Sequence, residues 1–334
     1  MMTTTATGTN TTVPTPFTLD GAWTALITPF RGGRVDAPAL RTLVERQVLS
    51  GISGLVACGS TGETPTLSAE EYERVIAIVI DQVAGRIPVM AGTGTNDTAT
   101  TLERTRAAQR AGASAALVVM PYYNRPTQEG LFRHITYVAE RCDLPLVLYN
   151  VPGRTGSDLQ PPTVARLAAL DAVIGIKEAS GDVDRASEII RLTAPIDPAF
   201  AVLSGDDSLT LPIMSVGGRG VISVVSNIVP RAMSDLTAAA LAGDYARARA
   251  IHHELLDLCG AMFVETNPVP VKTAAELLGL TTADVRLPLT NLLPDSRQRV
   301  FAALLACPHT ADPLVPGEEA ARHRTANTRI EVAA

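Results

Sequence analysis

Along the chain, short apolar runs of β-type composition alternate with longer stretches in which apolar residues recur every three or four positions. The runs are WTALITP, GLVAC, IPVMAG, AALVVM, LPLVLY, VIGIK, FAVLSG and GVISV, and each is followed by a loop and a helical pattern. After the second run, Ser68 with Glu71 three residues on predicts a capping box, and Gly85 predicts the helix end. The runs end at Thr28, Ser60, Thr93, Pro121, Tyr149, Lys177, Gly205 and Ser223, at spacings of 32, 33, 28, 28, 28, 28 and 18 residues. A strand–helix–strand unit needs about 30 residues. Eight such units predict an α/β fold, a (β/α)8 TIM barrel, with an open doubly wound sheet as the alternative. Beyond Pro230 only helical patterns follow, which predicts a C-terminal helical appendage. The expected organisation is a disordered leader over 1–20, a barrel over 21–230, a helical domain over 231–308 and a loosely ordered tail over 309–334.

Composition narrows the functional classes. A chain of 334 residues with 46% hydrophobic content can bury a sizeable core, and a net charge of −6 leaves no basic footprint for nucleic acid or an anionic membrane. No apolar run approaches the ~20 residues of a membrane span. Cys58, Cys142, Cys259 and Cys307 stand singly, which suits a reducing compartment, and the threonine-rich N-terminus lacks a secretory pattern. The expectation is a cytoplasmic protein with small-molecule partners.

In VIGIKEASG a lysine arrives while the strand is still in the interior. Active sites of this barrel class lie at the C-terminal strand ends, where Lys177 falls. Strict alternation puts Val173, Gly175 and Lys177 on one face, directed into the barrel, and Ile174 and Ile176 on the other. A partly desolvated lysine exposes a neutral, nucleophilic amine able to form a Schiff base with a ketone. The plainer alternative is an ion pair with Glu178 or another rim carboxylate. Tyr149 ends the adjacent strand, about 4.8 Å away. Ser60 and Thr61 lie in CGSTGE, and Tyr122 and Tyr123 in PYYNRP. None of the five histidines lies at a strand end, so these hydroxyls must carry proton transfer. Glycines around Ser60 let backbone N–H groups approach a carboxylate. No metal motif occurs, so no catalytic metal and no separate cofactor are expected.

CGSTGETPTL, VVMPYYNRPTQEGLF, LVLYNVPGRTG, GIKEASG, LSGDD and GVISV together resemble the motifs of the dihydrodipicolinate synthase family, within the pyruvate-dependent class I lyases that include N-acetylneuraminate lyase. The resemblance spans about residues 21–308. It implies that Lys177 forms a Schiff base with pyruvate, that Tyr149, Ser60 and Tyr123 relay protons, and that Tyr123 reaches in from a neighbouring protomer. It further implies that Ser60 and Thr61 hold the pyruvate carboxylate, with Gly59 and Ile222 among the substrate-binding positions. Arg154 would bind the carboxylate of aspartate semialdehyde, and the assembly would be a homotetramer, a dimer of dimers. Ser60 stands where the family commonly has threonine.

Two other readings remain at this level: an aldolase of the same superfamily acting on a sugar acid, against which Arg154 counts, and a non-catalytic barrel binding pyruvate. Lysine-sensitive relatives of the enterobacterial pattern hold the inhibitor with an asparagine, a glutamate, a tyrosine and histidines. Asn96 and Tyr122 match that set. Thr100 stands for the glutamate, Ala69 and Tyr72 for histidines and Pro65 for a small residue, so weak or absent feedback by lysine is expected.

Overall fold

The computed structural model describes residues 18–310. The strands are β1 (Gly21–Ala25), β2 (Phe30–Arg31), β3 (Arg34–Val35), β4 (Gly54–Ala57), β5 (Val89–Gly92), β6 (Ala115–Val119), β7 (Leu146–Asn150), β8 (Val173–Glu178), β9 (Ala201–Ser204) and β10 (Gly220–Ser223). All but β2 and β3 form a closed parallel barrel in sequence order, with β10 returning to β1. The eight runs therefore become the eight barrel strands. The remaining pair, β2 and β3, is a small antiparallel hairpin after β1.

The helices are α1 (Ala37–Leu49), α2 (Ala69–Val83), α3 (Thr98–Ala111), α4 (Gln128–Ala139), α5 (Pro152–Thr155), α6 (Pro161–Ala168), α7 (Val183–Thr193), α8 (Thr210–Ser215), α9 (Pro230–Leu241), α10 (Tyr245–Ala261), α11 (Val269–Leu277) and α12 (Pro294–Ala306). The Ser68 and Glu71 capping box forms as expected. The helix closes one residue early, because Ala84 itself takes the left-handed C-cap conformation. Helix α9 packs on β1 and β10 and completes the ring as the helix of the last strand. The boundary drawn at residue 231 thus cuts off a helix of the barrel, and the appendage proper is α10 to α12.

Two apolar layers hold the fold. One lies between strands and helices, and the other fills the barrel with Trp23, Val56, Met90, Leu117, Val147, Leu203 and Ile222. Leu19 belongs to this inner layer, and Asp20 is paired with Arg219. These two residues, expected in the leader, instead belong to the barrel. The remainder of the expected leader, 1–17, and the expected tail from 311 lie outside the described residues.

Candidate active site

Strand β8 does not keep the simple alternation. A register shift against β7 pairs Leu146 with Val173 but Val147 with Gly175, leaving Ile174 as an extra residue. Val173 consequently joins Ile176 in the outer layer, while Ile174 packs against the inner one. After the bulge the phase is regular, and Gly175 and Lys177 follow the inward face. Gly175 must be glycine, since a Cβ there would stand 2.5 Å from the Ala201 carbonyl oxygen and 2.8 Å from Leu19.

Tyr149 and Lys177 are direct register partners. Lys177 is only 5% exposed, and its Nζ lies 4.3 Å from the centroid of the Tyr149 ring, a cation–π contact. The alternative pairing with Glu178 does not form. The Glu178 carboxylate accepts from the Ser180 N–H at 2.7 Å and from Asn150 Nδ2 at 3.1 Å. Burial pushes the Glu178 carboxyl above its ordinary range despite these bonds. Burial likewise raises Asp206 and Asp207, with the charge of Lys177 drawing both part of the way back down. Asp207 uses one oxygen to bind the Val224 and Val225 N–H groups, which fixes the turn after β10.

A cleft of about 430 Å³ opens at this end of the barrel, lined by Gly59, Ser60, Tyr122, Tyr149, Arg154 and Asn267 among others. The turn after β4 supplies Gly59 and Ser60. It is wound tightly, with Gly62 N–H bonded to the Gly59 carbonyl at 3.0 Å and Glu63 N–H to the Ser60 carbonyl at 3.2 Å. Arg154 rides on α5, and its Nη2 donates to the Asn267 carbonyl at 3.2 Å. The loop bearing α5 is held from below by a two-pronged ion pair between Arg185 and Asp158, at 2.7 and 2.9 Å.

Of the residues singled out in the sequence, Gly59, Ser60, Tyr122, Tyr149 and Arg154 line the cleft, whereas Lys177 is buried behind the Tyr149 ring and is not part of the lining. Thr61 is buried beside it, its Oγ1 accepting from Asn267 Nδ2 at 2.9 Å. Ile222 is fully buried on β10, opposite Trp23 in the inner layer. Tyr123 is not brought into the cleft of its own chain. It is 89% exposed and carries φ +71, an unfavourable conformation for an aromatic residue. Tyr72, on α2, donates to the Gly92 carbonyl at 2.9 Å and lies beneath Arg104, 5.2 Å from its ring centroid. Arg104 and Pro65 both line the cleft, and the Thr100 hydroxyl is bonded to Asp97.

Sequence reasoning missed the contribution of the appendage. Thr266, Asn267, Pro268, Pro288 and Leu289 all reach the cleft from beyond the barrel. One sign was available: PVKTAAELLGL carries a single lysine, Lys272, directly after the apolar run Val269 to Val271, much the same anomaly that marked Lys177.

Fold and site define a (β/α)8 barrel with a buried strand-end lysine packed on a tyrosine ring, next to a cleft at the C-terminal strand ends. The model of the dihydrodipicolinate synthetase family matches residues 18–307, and the chain belongs to that family. A 4-hydroxy-tetrahydrodipicolinate synthase of Thermomicrobium roseum is 56% identical over 91% of this chain and 100% of its own. Among solved structures, the dihydrodipicolinate synthase of Thermotoga maritima superposes with a TM-score of 0.85 at 43% identity, covering 86% of this chain and 97% of its own. The chloride-inhibited enzyme of Acinetobacter baumannii, solved with pyruvate, gives 0.85 at 44% identity, covering 87% of this chain and 100% of its own. Among the described residues no helix is long and apolar enough to cross a membrane, and no group of three or more histidine, cysteine, aspartate or glutamate side chains could hold a metal ion.

Proposed function

We propose that this chain is a 4-hydroxy-tetrahydrodipicolinate synthase that condenses pyruvate with L-aspartate 4-semialdehyde through a Schiff base on Lys177. The observation that carries the reading is the buried Lys177 at the end of β8, in register with Tyr149 and packed on its ring. The Lys177 amine adds to the pyruvate ketone to give a carbinolamine, and loss of water gives the imine. Removal of a methyl proton yields the enamine, whose carbon attacks the semialdehyde. The substrate's own amine then displaces Lys177 by transimination and closes the ring, so the lysine is regenerated and no separate cofactor is consumed.

Tyr149, Ser60 and Tyr123 pass the protons of these steps, and Ser60 and Thr61 receive the pyruvate carboxylate, with Gly59 and Ile222 shaping that end of the site. Arg154, exposed at the mouth on α5, takes the carboxylate of the semialdehyde in its planar fork. Tyr123 acts on the cleft of a neighbouring protomer within a homotetramer built as a dimer of dimers. Its exposure and strained backbone support this role, since strain of this kind gathers where function holds it. The four free, buried thiols support a cytoplasmic location.

Borohydride reduction in the presence of pyruvate, followed by peptide mass measurement, tests the reading. An adduct on Lys177 is expected; no adduct, or one on another lysine, overturns it. Arg154→Ala should impair turnover with aspartate semialdehyde far more than it impairs trapping of pyruvate. Equal loss of both would assign Arg154 to the rim architecture instead.

A further inference from the structure

Lys272 has no part in the chemistry above, yet it is one of the largest fully buried side chains of the protein. Helix α11 is buried over its first seven residues, Val269 to Ala275, and Lys272 is the one charged residue among them. Its Nζ lies 2.5 Å from Glu63 Oε1 and 4.2 Å from the centroid of the Phe30 ring. The second Glu63 oxygen accepts from the Arg286 N–H at 3.1 Å. Burial lowers the Lys272 pKa, with Glu63 opposing the shift.

A buried ion pair of this kind is a poor device for stability alone, because apolar residues of similar volume often serve as well or better. What distinguishes it is direction. It fixes the position of one carboxylate, whereas an apolar contact could slide. That carboxylate belongs to Glu63, which holds a left-handed backbone at φ 54 and ψ 35. Through the Glu63 N–H to Ser60 carbonyl bond, it closes the turn carrying Ser60 and Thr61. Five residues before Lys272, Asn267 ties the Thr61 hydroxyl through its side chain and Arg154 through its carbonyl. One short piece of the appendage, Asn267 to Lys272, therefore contacts the elements that serve both substrates.

We propose that Glu63 and Lys272 are positioning residues for the pyruvate half of the site: the buried pair sets the height of the Ser60–Thr61 turn, so that its hydroxyls meet the substrate carboxylate. This rests on the assignment of those hydroxyls under Proposed function, and the test separates the two. Displacement of a reacting geometry by about 1 Å can cost on the order of 100-fold, and Glu63→Asp shortens the clamp by one methylene while keeping both charges. Glu63→Asp should fold with a melting temperature close to that of the parent. Its KM for pyruvate should rise by about 10-fold or more, the rate of borohydride trapping at low pyruvate should fall in proportion, and KM for aspartate semialdehyde should change less.

The double variant Glu63→Gln with Lys272→Met leaves no unpaired buried charge. It should keep a melting temperature close to that of the parent but lose pyruvate affinity. Thr61→Val serves as the reference for the hydroxyls themselves. If Thr61→Val raises KM for pyruvate while Glu63→Asp and the double variant stay within about twofold of the parent, less than 1 kcal/mol in binding, the pair is merely structural and the proposal fails. A Thr61→Val enzyme with unchanged pyruvate kinetics overturns the hydroxyl assignment and this inference with it.

Discussion

Tyr149 offers two separable groups to Lys177, a ring face and a hydroxyl. Tyr149→Phe keeps the ring that lies 4.3 Å from Lys177 Nζ and removes only the proton carrier. Turnover should fall by the ~10²–10⁴ expected of a lost acid–base group, with thermal stability little changed. Near-normal turnover would assign the relay elsewhere. The residues around Tyr72 bear on regulation in the same way. A bound lysine needs a partner for each ammonium group, but Thr100 supplies no charge, and Arg104 adds a cation to the cleft wall. Loss of a charge-assisted hydrogen bond is worth about 1.5–3 kcal/mol, roughly 10–150-fold in affinity. Inhibition assays should therefore give a half-inhibition point above about a millimolar; a value below that would contradict this account of Thr100 and Arg104.

Helix α2 is joined to the segment after α11 by a single acidic side chain. Glu71 caps its own helix at the Ser68 N–H and receives both Nη groups of Arg286 at 2.6 Å. The Arg286 hydrogen bonds hold the Glu71 carboxyl at about 2, against an ordinary 4.5. Because the folded value is depressed, the stability it contributes is complete above about pH 4.5 and is lost as pH falls towards 2. Glu71→Gln should thus be less stable than the parent at pH 7, and the difference in denaturant midpoint should close between pH 4.5 and 2. A gap that persists unchanged at the acid end would mean that the ion pair is not its source.

How far such elements could be foreseen depended on range. The strand ends were legible because a parallel barrel repeats locally, and the 28-residue spacing carried Tyr149 and Lys177 to adjacent ends. The bulge at Ile174 was not, since an extra residue is defined only by the neighbouring strand. Lys272 was visible as an anomaly, but its role and that of Asn267 were hidden for the same reason: their partners Glu63 and Thr61 lie more than 200 residues earlier in the chain. That α9 belongs to the barrel likewise emerges only when β10 returns to β1.

At the scale of the whole molecule, Tyr123 stands out because its side chain is 89% exposed and does not line the cleft of its own chain. If it completes a neighbour's cleft, then Tyr123→Phe and Lys177→Ala protomers, each inactive alone, should regain activity on mixing, because some hybrid clefts contain both native groups. Absence of recovery, with subunit exchange verified by mass measurement, would place Tyr123 within its own chain's chemistry.

The four cysteines are all free and buried, and burial raises the pKa of every one of them. At neutral pH they present almost no thiolate, so an alkylating reagent can mark them only after the surrounding structure opens. They form a clock with two dials. Cys58 and Cys142 time the opening of the barrel, while Cys259 and Cys307, at the end of α10 and just after α12, time the opening of the appendage. Because the appendage is anchored into the barrel through Lys272 and Asn267, all four should be labelled at one common rate when modification is followed by peptide mass. Earlier labelling of Cys259 and Cys307 would show that the appendage peels away while the barrel is still closed, and that the catalytic cleft loses its far wall before the enzyme unfolds.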